Sequence, residues 1–330
     1  MPEGHSVHRI AKQFATNFVG HTVVAESPQG RFVDGAAVIS GRELLEAFAV
    51  GKQMFLRFGE DEWVRIHLGI YGAWDFSGDI LVDATIASAN GRMGQTNQRG
   101  TVVSDRVLDS AGENSLTSIG APRNSRVRMG EESQSGGVHS AHFPPEPVGQ
   151  VRLRLMTETV CADLRGPTAC ELLTSARVHA VMDALGPDPQ HEPGVAGRNR
   201  FTDRLRSKKT PVGQLLMDQS IVAGIGNVYR AEMLFRAGID PYRPGTLVTV
   251  DEAHALWKDW VKLLAIGIET GQMMTMDGLR GKKWEAAMAH RADRHWVYKR
   301  EGLPCRKCGT NIQLDTMATR KLYWCPSCQT

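Results

Sequence analysis

The residues most able to do chemistry lie at the two ends of a 330-residue chain. Near the C-terminus, Cys305-x2-Cys308 is followed by Cys325-x2-Cys328, with sixteen residues between the pairs. Four thiolates in two close pairs on hairpin turns can close a tetrahedral shell around Zn²⁺. All four positions would be filled by protein, which makes the expected zinc structural and leaves no open position for catalysis. The metal would stabilise a small β-hairpin that could hardly bury enough core alone. Arg320 and Lys321 fall on that hairpin, where a finger tip could touch phosphate.

At the other end the chain reads MPEGH. Proline at position 2 permits removal of Met1, which leaves a secondary amine beside the Glu3 carboxylate. Free α-amino groups titrate at about 7.7–8.0, so a sizeable neutral, nucleophilic fraction exists near neutral pH. Attack of such an amine on a sugar C1′ gives an iminium, the electron-sink logic of lysine Schiff bases. A third feature lies in LLMDQSIVAGIGNVYRAEMLF, residues 215–235. There Gly224 and Gly226 precede Asn227, which opens a helix. Backbone N–H groups at a helix N-terminus attract an anion. Asn227 itself could cap the helix or offer its amide to a phosphate.

The elements that must position these residues change character along the chain. Val7, Ile10, Ala11, Phe14 and Phe18 recur at helical spacing and predict an amphipathic first helix. From Thr22 to Phe76 the texture turns to short β-like runs, TVVAE, AAVIS, LLEAFAV, MFLRF, WVRIHL and AWDF, punctuated by glycines. Between about Ile86 and Pro147 the pattern vanishes into Gly, Ser, Asn, Gln and Arg, as expected of a flexible insertion. VRLRLMTE and TVCADLR return the chain to the sheet. Helices are expected to dominate from Thr168 onward: ARVHAVMDAL, PVGQLLMDQ, NVYRAEMLFRAG and DEAHALWKDWVKLLAIGIETG. In the last of these Leu256, Trp260, Leu263, Leu264 and Ile268 form a core-facing stripe.

Composition narrows the class. The apolar fraction of 42% is that of a globular protein, and at this length two or three domains are expected. No run approaches ~18 apolar residues, so no membrane span is expected. The N-terminus lacks a secretory h-region, and a cytosolic, nucleoid-associated protein is anticipated. Cys161 and Cys170 then read as buried thiols rather than a disulfide. The net charge of +3 is mild, but residues 271–330 carry eleven Lys/Arg against five Asp/Glu. The run Arg198–Lys209 carries six basic residues against Asp203 alone. Two such clusters suit a nucleic-acid footprint or a solvated basic surface.

Start, middle and end together resemble the Fpg/Nei DNA glycosylases over nearly the whole chain outside the insertion. The motifs are MPEG, GKQMFLRF at 51–58, LLMDQSIVAGIGNVYRAE, and the finger GLPCRKCGT with ATRKLYWCPSCQ. Within that family the chain looks most like the endonuclease VIII branch. The resemblance implies an α+β fold. An N-terminal helix and two-layered β-sandwich (1–165) would be followed by a helical domain with a helix–two-turn–helix motif (166–290). A β-hairpin zinc finger (291–330) would complete it, with damaged DNA lying across the cleft.

It also implies a bifunctional glycosylase and AP lyase of base excision repair, acting as a monomer on double- or single-stranded DNA. Pro2 is implied as the nucleophile, Glu3 as the general acid, and Lys52 as the hairpin lysine that contacts phosphate and assists proton transfer. Asn227 and Arg320 match the family's phosphate-binding asparagine and finger arginine. Ile70 and Tyr71, in HLGIYGAW, match the wedge that fills the gap left by an extruded nucleotide, or else belong to the β-domain core. Where the family often has PEGPE this chain has PEGHS, so an acidic residue of the first helix is missing and His5 and Ser6 replace the usual pair close to the amine. The arginine and phenylalanine loop of the oxidised-purine branch has no evident counterpart. Oxidised pyrimidines are therefore the expected lesions. A lesion binder that has lost the chemistry would share these motifs, and a zinc-ribbon transcription or RNA-processing factor would share the cysteines alone.

Overall fold

The computed structural model describes residues 2–81, 118–121 and 143–330. The chain divides into two units: one runs to Asp183 and includes residues 268–271, and the other comprises 184–267 and 272–330.

The first unit opens with α1 (Gly4–Asn17), followed by β1 (Thr22–Glu26), α2 (Val33–Ile39) and β2 (Arg42–Glu43). Strands β3 (Glu46–Val50), β4 (Gln53–Arg57), β5 (Trp63–His67), β6 (Ala73–Gly78) and β7 (Ser118–Gly120) come next. β8 (Val151–Met156), β9 (Val160–Arg165), β10 (Ala169–Leu173) and α3 (Ser175–Ala184) complete it. The strands form two antiparallel sheets, ordered β2-β1-β8-β9-β6-β7 and β10-β5-β4-β3. One apolar core joins both sheets to the first helix. Phe14 of α1 and its C-cap Phe18 share a core with Met54, Leu56, Val64 and Ile66 of one sheet and Trp74, Leu153 and Leu164 of the other. Phe14 sits edge-on to Trp74 at 4.7 Å, an arrangement aromatic quadrupoles favour. The helix–sandwich expectation is met.

Two expectations about elements in this unit fail. AAVIS forms the end of helix α2 rather than a strand. Buried Phe32, Ala36 and Ile39 recur at helical spacing, and Asp34 favours the first turn. Residues 169–173, read as part of the helical region, form β10, a complete five-residue antiparallel partner for β5. Tertiary pairing decides that short segment. The expected insertion lies largely outside the described residues, although Ser118–Gly120 within it pairs with Ala73–Asp75.

The second unit contains α4 (Val195–Arg206), the single turn α5 (Val212–Leu215), α6 (Asn227–Ala237), α7 (Val250–Thr270) up to residue 267, α8 (Lys282–Ala289), and the hairpin β11 (Gln313–Met317) and β12 (Arg320–Trp324). PVGQLLMDQ thus gives one helical turn instead of a full helix. Its continuation is diverted into turns by side chains that bond backbone. Asp218 takes the Ser220 N–H, and Gln219 donates to the carbonyls of Met217 and Ile225 while accepting from Gly224 N–H. The stripe Leu256, Trp260, Leu263, Leu264 and Ile268 on α7 is buried as expected. Among the described residues no helix is long and apolar enough to cross a membrane.

Candidate reactive terminus and nucleic-acid interface

In the first unit, α1 begins immediately after Pro2 and Glu3. Glu3 is the N-cap in extended conformation, and its carbonyl accepts the Ser6 N–H at 3.0 Å. Its side chain makes no capping bond, and the residue is fully buried. A carboxylate at a helix N-terminus sits in the positive end of the helix dipole, which favours its charged form. His5 and Ser6 are buried beside it, with imidazole Nε2 and hydroxyl 3.2 Å apart.

The helix that carries this terminus is fixed by more than its apolar stripe. Asn17 exchanges two hydrogen bonds with the backbone of Leu81, at 2.9 and 2.7 Å. The buried Arg9 guanidinium donates to the carbonyls of Ile268 and Glu269, at 2.6 and 3.1 Å. A cation on the free carbonyls at a helix C-terminus is a favourable pairing. Burial lowers the Arg9 pKa to about 10, which still leaves it charged at neutral pH.

Lys52 occupies the β3–β4 turn, closed by the Val50–Gln53 pair. Gly51 precedes it at φ 58°, the left-handed position that a two-residue hairpin needs at its first central residue. Sequence reasoning did not single out His67, yet the register places it opposite Gln53, next to Lys52. Burial, and then the positive charges of Lys52 and Arg65, lower the His67 pKa from its ordinary value. The ring is therefore neutral at physiological pH and offers one N–H donor beside a cation. Nothing in the spacing of WVRIHL marks it; only strand pairing does.

Just beyond His67, the loop from Leu68 to Gly72 closes through a Gly72 N–H to Leu68 carbonyl bond of 2.9 Å. Gly69 adopts φ 66°, and a Cβ on Gly72 would meet the Leu68 carbonyl oxygen at 2.4 Å. Ile70 and Tyr71 ride on this loop with 39% and 38% of their surface exposed, so neither is a core residue.

In the second unit Asn227 is the first helical residue of α6, and Gly226 is the N-cap without a side-chain bond. The capping reading of Asn227 is thereby corrected. Its amide instead donates to the Lys321 carbonyl at 2.9 Å, and its oxygen accepts from the buried Arg230 guanidinium. Arg230 also donates to the Lys321 carbonyl at 2.9 Å. The start of α6 is thus tied to the finger hairpin at the residue after Arg320, which is half-buried itself.

The four cysteines come together as expected. Their Sγ atoms all lie within 4.8 Å of one another, with Cys305–Cys328 at 3.9 Å and Cys308–Cys325 at 3.5 Å. Tetrahedral zinc with Zn–S of about 2.3 Å requires S···S of about 3.8 Å, so the thiols fit the metal. The centre packs on α6 through Ala231, Phe235, Val297, Ile312 and Tyr323. Lys307, between two ligands, lies 4.9 Å from the Phe235 ring and 5.2 Å from that of Trp296.

The segment leading into the finger is held by Glu232. This fully buried carboxylate accepts the backbone N–H groups of Trp296, Val297 and Tyr298 at 2.7, 2.9 and 2.7 Å, and pairs with the Thr275 hydroxyl. The basic run Arg198–Lys209 proves to be partly structural. Arg200 bonds Glu192, Arg204 bonds the carbonyls of Leu185 and Ser220, and Arg206 bonds the Val248 carbonyl.

These features agree with the comparisons. Residues 1–110 match the formamidopyrimidine-DNA glycosylase N-terminal domain, 185–277 its H2TH domain, and 302–330 the zinc finger found in FPG and IleRS. The chain belongs to the formamidopyrimidine-DNA glycosylase/endonuclease VIII family, whose members are DNA glycosylases of base excision repair. It is 34% identical to endonuclease 8 1 of Mycobacterium tuberculosis (strain H37Rv) over the full length of both chains. It is 36% identical to a formamidopyrimidine-DNA glycosylase of Thermus thermophilus over 149 residues, 44% of this chain and 53% of that one. The fold matches a Lactococcus lactis FPG mutant in complex with Fapy-dG-containing DNA, with TM-score 0.66, 18% identity and 99% of each chain covered.

Proposed function

We propose that the protein is a bifunctional DNA glycosylase and AP lyase that removes oxidised bases, with pyrimidines favoured, through a Schiff base on Pro2. The observation that carries this reading is the terminus itself. A secondary amine, freed once Met1 is removed, adjoins a buried carboxylate on a helix locked into the core.

The substrate nucleotide must leave the base stack for its C1′ to be reached, at a cost of a few kcal/mol. Ile70 and Tyr71, apolar and exposed on a tight loop, suit the wedge that would fill the vacated space. Phosphate oxygens would be held by Lys52 and the neutral His67 in the first unit, and by Arg320 and the Asn227 amide in the second. The amine lone pair forms the N–C1′ bond as the bond to the base breaks, and the N–H proton that the alkylated amine sheds balances the proton the departing base takes up. Glu3 in its acid form protonates the sugar ring oxygen, opening the ring and giving the iminium. Loss of a C2′ proton, which Lys52 would assist, breaks the C3′–O bond, and a second elimination releases the sugar. Zinc supports the finger and enters none of these steps.

The pyrimidine preference rests on PEGHS in place of PEGPE and on a sequence with no evident counterpart to the arginine and phenylalanine loop of the oxidised-purine branch. Borohydride trapping on oligonucleotides with dihydrouracil, thymine glycol, 8-oxoguanine or an abasic site tests the whole reading. A covalent adduct that disappears in Pro2→Gly is expected, strongest on the pyrimidine lesions. Processed protein that binds lesion DNA but gives no adduct on any of them would overturn it.

A further inference from the structure

A cavity of about 460 Å³ opens in the second unit where α4 begins beside the middle of α7. Its walls are apolar: Val195, 61% exposed, faces it with Trp257 and Val261. Around them stand Arg198 and Lys258, and none of the lining residues is acidic. Volumes of this size accept a bulky side chain or small ligand.

The arginine here differs from its neighbours on the same helix. Arg200, Arg204 and Arg206 are each anchored to a carboxylate or to backbone carbonyls. Arg198 reaches only the Asn199 amide oxygen, at 3.4 Å, and its Nε is buried without a partner. Neither Arg198 nor Lys258 has an ion pair among the described residues, and Glu192, just before the pocket's Pro193, is already bonded to Arg200. Helix α4 also starts here on Gly194, which offers no side chain to its N-terminal N–H groups.

We infer that this pocket docks an acidic peptide segment of a partner protein, with one bulky apolar side chain inserted against Val195, Trp257 and Val261 and flanking carboxylates on Arg198 and Lys258. Charge complementarity selects the acidic partner, and the apolar floor selects a peptide over a phosphodiester backbone, which carries charge but no apolar side chain to bury. None of the residues assigned to lesion chemistry or phosphate contact takes part.

The zinc-loaded full-length chain would be titrated into a fluorescent dodecapeptide bearing one Phe between runs of Asp and Glu, read by anisotropy. Saturable binding is expected, weakening as salt rises, about tenfold weaker when the peptide Phe becomes Gly. Arg198→Glu with Lys258→Glu should weaken it by about twentyfold or more, and the milder Lys258→Ala by a few-fold, with borohydride trapping unchanged in both. No saturation at about 1 mM peptide, or equal binding by wild type and variants, overturns the inference. So does a parallel loss of undamaged-duplex affinity in the variants, which makes the site part of a phosphate track. Self-association that the charge reversal abolishes, without peptide binding, would assign the pocket to a second copy of the chain instead.

Discussion

Replacing Glu232 by alanine is expected to loosen the finger from the helical unit without touching any residue assigned to chemistry. The carboxylate takes three consecutive backbone N–H groups, Trp296 to Tyr298, and the Thr275 hydroxyl. Each buried donor left unsatisfied costs about 1–3 kcal/mol, and water entering the vacated space recovers part of that. A total of roughly 3–5 kcal/mol is about a fifth or more of the ~5–15 kcal/mol that holds an ordinary domain together. Glu232→Gln keeps an acceptor but turns an NH₂ group toward one of the donors, so it should lose about 1–3 kcal/mol. Burial pushes the Glu232 carboxyl above its ordinary pKa, against the pull of its four donors. The folded state then binds more protons than the unfolded one. That contribution is present below the ordinary carboxyl value and lost as pH rises through the folded value, a slope Glu232→Gln should remove. Denaturant unfolding gives the stabilities, and hydrogen exchange at 296–298 locates the loss. An alanine variant within about 1 kcal/mol of wild type, with those amides still protected, would refute the assignment of Glu232 as the finger's anchor.

Chelating zinc, or replacing Cys328 by Ser, should abolish hydrogen-exchange protection of Gln313–Trp324 and weaken DNA binding, because the hairpin depends on the metal and on the cluster around Phe235. The finger's two-residue turn places Ala318 at φ 49° and Thr319 at φ 63°, a strained region for a β-branched side chain. Thr319→Gly should therefore stabilise the hairpin by roughly 1 kcal/mol, read as a higher Tm; a lower Tm would contradict the strain argument. The lowered pKa of His67 means the folded state holds that ring neutral. Its contribution is present above about pH 6.5 and lost as pH falls through the lower folded value, so His67→Gln should flatten stability against pH in that interval.

Much of this architecture was legible in the sequence because its signals are local. The cysteine spacing, the glycine before Lys52, and the apolar periods of α1 and α7 each report on neighbours within a few residues. What escaped depends on pairing across long separations. β10 is a strand because β5 needs a partner, not because ACELL looks like one. His67 joins the site only through its register with Gln53. Arg230 reads as an ordinary helix arginine until the Lys321 carbonyl, 91 residues away, is brought to it. The basic run 198–209 was only partly legible, for the converse reason. Charge is visible in sequence, whereas the carbonyls that occupy Arg204 and Arg206 are not.

The two residues expected to hold phosphate in the second unit should therefore behave differently when removed. Asn227 is 6% exposed, and one amide hydrogen is occupied by the Lys321 carbonyl, which leaves the other for an anion. Arg320 flanks the hairpin turn and carries a full charge. Asn227→Ala should lower stability by about 1 kcal/mol, because Arg230 loses one acceptor while keeping the Lys321 carbonyl. It should also weaken DNA binding while leaving the salt dependence unchanged, since a neutral amide releases no counterion. Arg320→Ala should weaken binding and reduce the slope of log K against log salt by about one. Asn227→Asp sharpens the contrast. It keeps an oxygen for Arg230 but sets a carboxylate against the Lys321 carbonyl and any incoming phosphate, so it should bind DNA more weakly than the alanine variant. If Asn227→Asp binds as well as wild type, the amide faces neither the hairpin carbonyl nor the DNA in solution, and the coupling of α6 to the finger proposed through it is wrong.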